Sequence, residues 1–222
     1  MTRLLFVDNS ETIPHYSPFE HWKACFPEDF RCVRAPAGEL SGLDPKDYSH
    51  VLLSGSESCS LDEKNWMLEE EKFVRAAVAA KIPILGSCFG HQLIAKAMFG
   101  REAVRVREKP ELGWKRIRVL ADDPLWGKKE ESQSGFLFHY DEVAFVPSDR
   151  AAVVAESDEC AVQSFKLHDA PVWGIQSHFE IGVAEGIRLL RHAGYSANEV
   201  QKGVPPLDTG FLVPLMDRFL AL

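Results

Sequence analysis

The sequence has no apolar run near the roughly 18 residues that a membrane-spanning helix needs, so no helical span is expected. Its opening apolar stretch, Leu4 to Val7, stops at Asp8 and is followed by no small-residue cleavage site, so a secretory leader is not expected either. A cytoplasmic protein is the resulting expectation. Positive charge is in short supply: 25 Lys and Arg against 33 Asp and Glu give a net charge of −8. That balance argues against nucleic acid as a main partner, because phosphate binding rests on an excess of Lys and Arg. There is no Cys-x-x-Cys, and the five cysteines (25, 32, 59, 88 and 160) are odd in number and irregularly spaced. A disulfide framework and a zinc ribbon are both disfavoured. No P-loop of the form Gly-x-x-x-x-Gly-Lys-Ser/Thr occurs, so no ATP-dependent domain is expected within the chain. Repeats, low-complexity tracts and Gly/Ser/Pro-rich linkers are absent too, which points to one domain over residues 1–222. What remains is 45% hydrophobic and 26% charged over 222 residues, enough to bury a large core without a covalent staple.

Short apolar runs punctuate the first half. Leu4–Val7, Phe30–Val33, Val51–Leu53 and Ile82–Leu85 read as buried strands. A short helix is expected around Phe19–Cys25. A longer one opens at Leu61-Asp62, where Trp66, Phe73, Val74, Ala77 and Val78 recur at helical spacing opposite Glu69, Glu70, Glu71, Lys72 and Arg75. A third helix carries Leu93, Ile94, Ala97 and Met98 and stops at Gly100. The second half is β-rich, with candidates at Ala103–Val106, Trp114–Leu120, Phe136–Phe138, Val143–Val146, Ala152–Ala155, Ala161–Phe165 and Val172–Ile175. Helices are expected over Val183–Arg191 and, in a tail running from Val204, over Leu212–Leu222. The alternation predicts an α/β fold: an open, mostly parallel central sheet flanked by helices, flavodoxin-like, with an antiparallel extension.

The sharpest local signal is Gly86-Ser87-Cys88-Phe89-Gly90, set between a strand and a helix. It has the form of the nucleophile elbow Gly-x-Ser-x-Gly with sulfur replacing the hydroxyl oxygen. Such a turn aims its central residue out at the carboxyl end of a sheet, where open α/β folds place their sites. The free N–H groups and positive dipole end of the following helix favour a thiolate and a developing oxyanion. Cysteine is also common in cores, and a buried cysteine at a helix start is the plainer alternative. A thiol nucleophile needs a base, and the base an orienting group. His178 and Glu180 supply both types just after Val172–Ile175, where residues two apart share a face. In isolation a His-x-Glu would more simply be a satisfied histidine and a solvated carboxylate; beside a cysteine elbow the two readings support each other.

Four ordered motifs resemble those of class I glutamine amidotransferases. Gly86-Ser87-Cys88-Phe89-Gly90-His91-Gln92 matches the Gly-x-Cys-x-Gly-x-Gln signature, and Gly174-Ile175-Gln176-Ser177-His178-Phe179-Glu180 resembles Gly-x-Gln-x-His-Pro-Glu. Leu53-Ser54-Gly55-Ser56 resembles the Ser-Gly-Gly-Pro oxyanion loop, and His139-Tyr140-Asp141-Glu142-Val143 the intervening His-x-Asp-x-Val segment. The resemblance covers nearly the whole chain. The sub-type it resembles is the free-standing kind related to the glutaminase domain of GMP synthetase. It implies a triad of Cys88, His178 and Glu180, with an oxyanion held by the backbone N–H of Ser56 and Phe89. Gly55 would shape that loop, Gln92 would border the substrate, and His139 would either border the pocket or serve a structural role in its own loop. The implied substrate is glutamine or another γ-glutamyl amide, hydrolysed through a glutamyl thioester with no metal or organic cofactor. Ammonia transfer would need a separate synthetase partner. A catalytically silent binding module and a redox or chaperone-type cysteine protein are the readings from other classes; the intact Cys88, His178 and Glu180 set weighs against both.

Some positions depart from the family pattern. Phe179 replaces the usual proline, which removes a fixed φ, and Ser177 replaces a common aromatic. Ser56 stands where many relatives have glycine and Glu57 where many have proline, so a Ser56 peptide needing φ > 0 would be strained. Plainer readings fit the other features. His21, Cys25 and Cys32 match no standard metal spacing, and Cys59 is read as a bystander thiol. Trp66, Trp114, Trp126 and Trp173 are read as packing residues, Lys128–Glu131 as a solvated loop and Glu111–Trp114 as a turn at the pocket edge.

Overall fold

The computed structural model describes residues 2–11, 16–196 and 210–222. Among these, nine strands form one sheet: β1 (Leu4–Asp8), β2 (Phe30–Arg34), β3 (His50–Leu53), β4 (Ile84–Ser87), β5 (Val104–Val119), β6 (Ser132–Val143), β7 (Ala151–Glu156), β8 (Ser164–Leu167) and β9 (Val172–Ile175). The helices are α1 (Pro18–Trp22), α2 (Asn65–Ala79), α3 (Phe89–Phe99), α4 (Val183–His192) and α5 (Leu212–Leu220). The strand order is β2-β1-β3-β4-β9-β8-β7-β5-β6. β2, β1, β3, β4 and β9 run parallel, whereas every pairing from β9 through β8, β7 and β5 to β6 is antiparallel. The sheet is therefore mixed. The mostly parallel sheet expected from the sequence is corrected, because the β-rich second half joins the same sheet as four strands instead of a small appendix.

The parallel strands β1, β3, β4 and β9 are buried along their whole length, and alternate residues feed two cores. Leu5, Val7, Val51, Leu53 and Ile84 meet α2 and α3 through Val74, Ala77, Leu93 and Ile94. Leu4, Phe6, Leu52, Leu85 and Trp173 meet α5 through Leu215, Met216 and Phe219. Each such buried aliphatic or aromatic side chain contributes about 1.5–3 kcal/mol of transfer free energy. Trp126 and Trp173 are fully buried in the second core. None of the described helices is long and apolar enough to cross a membrane.

Several boundaries differ from the sequence expectations. α2 begins at Asn65, not Leu61-Asp62, because Cys59–Asp62 closes a turn through an Asp62 N–H to Cys59 carbonyl bond of 3.1 Å. Ala103–Val106 and Trp114–Leu120 are parts of one long strand, so Glu111–Trp114 is strand and not a turn. The ladder is irregular between Val106 and Glu111, the stretch that holds Pro110. Pro110 lies where β5 has no second neighbour among the described strands; β7 joins it only at Arg118 and Val119, so no ladder donor is missed there. The expected Ala161–Phe165 strand is Ser164–Leu167, and the one expected at Val143–Val146 does not form: β6 ends at Val143 and residues 144–146 are not strand. In the tail, Val204 lies outside the described residues; the helix beyond it covers Leu212–Leu220.

Candidate active site

Three parallel strands deliver the site from their carboxyl ends. β4 ends at Ser87, and Cys88 follows with φ 49° and ψ −102° at the head of α3. This conformation is costly for any L-residue, on the order of 1–3 kcal/mol, and persists only where the surroundings enforce it. They do so here. The Cys88 N–H donates to the Ile175 carbonyl of β9 at 2.8 Å, the Gly90 N–H to the Ser54 carbonyl at 3.2 Å, and the Gln92 N–H to the Cys88 carbonyl at 3.1 Å. The flanking glycines serve close packing, since the positive φ belongs to Cys88 itself. A Cβ at Gly86 would stand 2.6 Å from the Gly90 backbone, and one at Gly90 would stand 2.7 Å from the Leu53 carbonyl oxygen. Phe89 begins α3, so its N–H has no acceptor within the helix, while its ring packs against Trp66 at 5.5 Å.

His178 follows β9 and is tied to β6 by its N–H, which donates to the Phe136 carbonyl at 2.7 Å. Its Nδ1 lies 2.6 Å from Glu180 Oε1, and its ring and Cys88 both border Gly55, where an added Cβ would stand 3.0 Å from His178 Cε1 and 3.6 Å from Cys88 Cβ. Both His178 and Glu180 are buried. Burial alone would lower the His178 pKa. The Glu180 carboxylate beside the ring, together with Cys88, outweighs that and raises the His178 pKa well above its ordinary range. The replacement of proline by Phe179 is explained by packing: its ring lies 4.8 Å from Phe211 and 5.6 Å from Trp126, which anchors the loop through side-chain contact in place of a fixed φ. Ser177 packs against Gly135, where an added Cβ would stand 2.7 Å from the Ser177 Cβ, so position 135 has room only for glycine.

The loop after β3 completes the site. A Cβ at Gly55 would stand 2.7 Å from Tyr16 Oη, 3.0 Å from His178 Cε1 and 3.6 Å from Cys88 Cβ, so only glycine leaves these groups their places. Ser56 is not among the described residues with positive φ, and the strain that serine would suffer there does not arise. Asn9 holds this loop from behind. Its N–H donates to Ser54 Oγ at 2.9 Å, and its side-chain amide donates to the Ser54 carbonyl at 3.2 Å and to Glu70 at 3.0 Å.

Over these residues lies a cavity of about 510 Å³ lined by Ser56, Cys88, Gln92, His139 and His178, among others. Glu180 stands behind His178. Gln92 touches the cavity, but both donors of its amide are engaged, to the Asp141 carbonyl at 2.8 Å and Gln176 Oε1 at 3.1 Å. His139 touches it as well, with its ring nitrogens at the Asp141 carbonyl (2.8 Å) and Glu111 (3.0 Å). Sequence reasoning placed Glu111 in a pocket-edge turn and missed its part here as the buried carboxylate behind His139, which also accepts from Ser157 and Gln163. It missed Tyr16 too. That hydroxyl is buried in the cavity wall with no hydrogen-bond partner among the described residues. Burial, then the nearby Glu180 and Cys88, push its pKa well above the ordinary phenol range. Neither residue belongs to a recognisable local motif. Cys59 lines the cavity, while Cys25 and Cys32 lie apart from it, and His21 pairs with Glu185 at 3.4 Å. No group of three or more His, Cys, Asp or Glu among the described residues is placed to hold a metal ion.

Residues 33–192 match the family profile described as class-I glutamine amidotransferase. The chain belongs to that family. Among its similar proteins is one subunit of the glutamine-hydrolysing GMP synthase of Pyrococcus abyssi, 34% identical over 82% of this chain and 82% of that one. The equivalent GMP synthase subunit of Methanothermobacter thermautotrophicus is 41% identical over 50% of this chain; the match spans 59% of that protein, less than two thirds of its length. The solved structure of a glutamine amidotransferase from Methylobacillus flagellatus superposes with a TM-score of 0.78 over 99% of this chain and 94% of that one, at 21% identity. This class I amidotransferase chain thus shares its mixed α/β architecture with relatives of low sequence identity.

Proposed function

We propose that this chain is a single-domain, cysteine-dependent amide hydrolase that releases ammonia or an amine from glutamine or a γ-glutamyl compound. The observation that carries the reading is the buried grouping of Cys88, His178 and Glu180: Cys88 and His178 line one cavity and both adjoin Gly55, and Glu180 is bonded to the His178 ring from behind. An imidazolium facing sulfur is an electrostatic partner for a thiolate, the reactive form of cysteine. The thiolate attacks the γ-carbonyl carbon, forming a C–S bond. The oxyanion is stabilised by the N–H groups of Phe89 and Ser56. His178 gives its proton to the leaving nitrogen as the C–N bond breaks, and Glu180 holds the ring in the orientation that allows this. Water then loses a proton to His178 and attacks the thioester; the C–S bond breaks and glutamate leaves. Gln92 and His139 hold the cavity floor, because their polar atoms are largely spent on the protein.

A second reading is a glutaminase subunit that hands ammonia to a separate synthetase. It is favoured by relatives named as subunits of glutamine-hydrolysing GMP synthase. One assay separates the two. Purified chain and its Cys88→Ala variant are incubated with glutamine and with γ-glutamyl peptides, and released ammonia or amine is measured. Turnover by the unaltered chain alone supports the hydrolase; turnover that appears only on adding a synthetase supports the glutaminase partner. No turnover in either case, with no covalent capture of Cys88 by an electrophilic glutamine analogue, rejects both.

A further inference from the structure

The cavity is larger than glutamine requires and has two unlike sides. Pockets of about 300–1,000 Å³ hold drug-sized ligands, and this one measures about 510 Å³. One side is polar and comes from the loop after β3: Ser56, Glu57 and Ser58. The other is mainly apolar and comes from β6 and the α4 region: Phe136, Phe138 and Tyr140 with Ile181 and Leu189, flanked by His139, Asp141 and His192. The three aromatic residues occur at every second position of β6, so they share one face. Phe136 and Phe138 are stacked at 6.5 Å with an interplanar angle of 11°, and Phe138 meets Tyr140 edge-on at 6.2 Å. The ladder begins beside the proton donor, with the Phe136 ring 6.3 Å from the His178 ring. Its outer end is half exposed at Tyr140, whose hydroxyl is hydrogen-bonded to that of Tyr195 at 2.8 Å.

We propose that the hydrolase is selective for γ-glutamyl amides whose leaving amine carries an aromatic or bulky apolar group, which this ladder receives. The inference rests on the amide-hydrolase reading and adds the substrate class. The γ-glutamyl part carries an ammonium and a carboxylate and needs a polar surface, which the loop after β3 supplies. The leaving nitrogen must lie at His178 to be protonated, so the group attached to it projects along the surface that starts there. That surface is mainly apolar, and a free ammonia or a small polar amine leaves its rings uncovered in water. An aromatic leaving group covers it, with rings packing at the 4.5–7 Å centroid spacing that aromatic pairs prefer. The balance of the reaction is unchanged: water is the co-reactant, and glutamate and the intact amine are the products.

The test compares γ-L-glutamyl-phenethylamide with γ-L-glutamyl-ethylamide, two alkyl amides that differ by one ring. The expected kcat/KM for the phenethyl substrate is about 10-fold or more above that for the ethyl substrate. Phe138→Ala is expected to shrink that ratio at least fivefold. Tyr140→Ser, at a half-exposed position where folding is not at stake, is expected to shrink it less. Equal or better use of the ethylamide overturns this selectivity and leaves the hydrolase standing. Retention of the full ratio by both variants overturns the role of the ladder. Failure to turn over either amide, with no capture of Cys88 by an electrophilic glutamine analogue, overturns the hydrolase reading itself.

Discussion

The two halves of the sheet are built on different physics. Every residue of β1, β3, β4 and β9 is buried, and their order is held by apolar packing on both faces. β5 and β6 mix buried with exposed and half-buried positions and carry charge pairs instead: Arg105 and Arg107 with Glu142, Lys115 with Glu159, and Arg118 with Glu156. The parallel half supplies the proposed reacting groups, Cys88 and His178, at its carboxyl ends. The antiparallel half supplies the aromatic wall, and touches the chemistry through the Phe136 carbonyl that anchors His178. Damage to the parallel half is therefore expected to appear in rate, and damage to the antiparallel half in stability and selectivity. The largest effect that follows is on the loop after β3. In Gly55→Ala the added Cβ would crowd Tyr16 Oη and the His178 ring, so one must move. A displacement of about 1 Å at a reacting group costs on the order of 10²-fold in rate. A loss of that size in kcat/KM, at a melting temperature within a few degrees, is expected; an unchanged rate breaks the comparison.

The corresponding cut in the other half is Glu142→Ala. Glu142 is buried and pairs with Arg105 at 2.7 Å and, more closely, with Arg107. Removing it strands the mostly buried Arg107, whereas Arg105 is free to turn to water, so the expected loss is about 1–3 kcal/mol. Urea unfolding measures it, and activity of the folded fraction should stay within about 2-fold.

The contrast also explains what the sequence disclosed. The parallel strands were legible because burial on both faces writes them as unbroken apolar runs, as in Leu4–Val7 and Val51–Leu53. The elbow and the His178–Glu180 pair were legible because each is local. The long β5–β6 hairpin was not: Lys109-Pro110-Glu111 reads as a break, yet an outer edge unpaired among the described strands lets β5 run through it. Glu70 reads as one of a run of helix-surface acids, but it is fully buried behind Asn9. Nor could spacing find Tyr16, which reaches the cavity only through the tertiary fold.

Glu70 gives a pH signature to the parallel half. Burial, only partly offset by the Asn9 hydrogen bond, pushes its pKa up from 4.5 to about 8. Between those values the folded protein holds a proton that the unfolded chain has released. The unfolded state then binds fewer protons, so stability falls as pH rises through this window. The slope is at most about 1.4 kcal/mol per pH unit for one group. Glu70→Gln keeps an acceptor for Asn9 and removes the titration. Denaturant unfolding from pH 5 to pH 9 should therefore show a shallower decline than in the unaltered chain; parallel curves would mean that Glu70 does not titrate there.

The smallest expected effect tests where strain is kept. Three described non-glycine residues have positive φ: Lys81, Cys88 and Glu130, at 57°, 49° and 69°. Lys81 and Glu130 are exposed, whereas Cys88 is buried at the meeting point of β4, β9 and α3. Glycine relieves such a conformation but loses more entropy on folding, for a net gain of roughly 0.5–1 kcal/mol. Cys88→Gly should thus be more stable than Cys88→Ala by about that amount, since both lack the thiol and only alanine keeps a Cβ. Glu130→Gly should gain a similar amount with activity intact. A stabilised but inert Cys88→Gly beside a stabilised and active Glu130→Gly would mark the strain at Cys88 as the one held for chemistry. If Cys88→Gly is no more stable than Cys88→Ala, the elbow is relaxed, and its geometry follows from the packing of Gly86 and Gly90 alone.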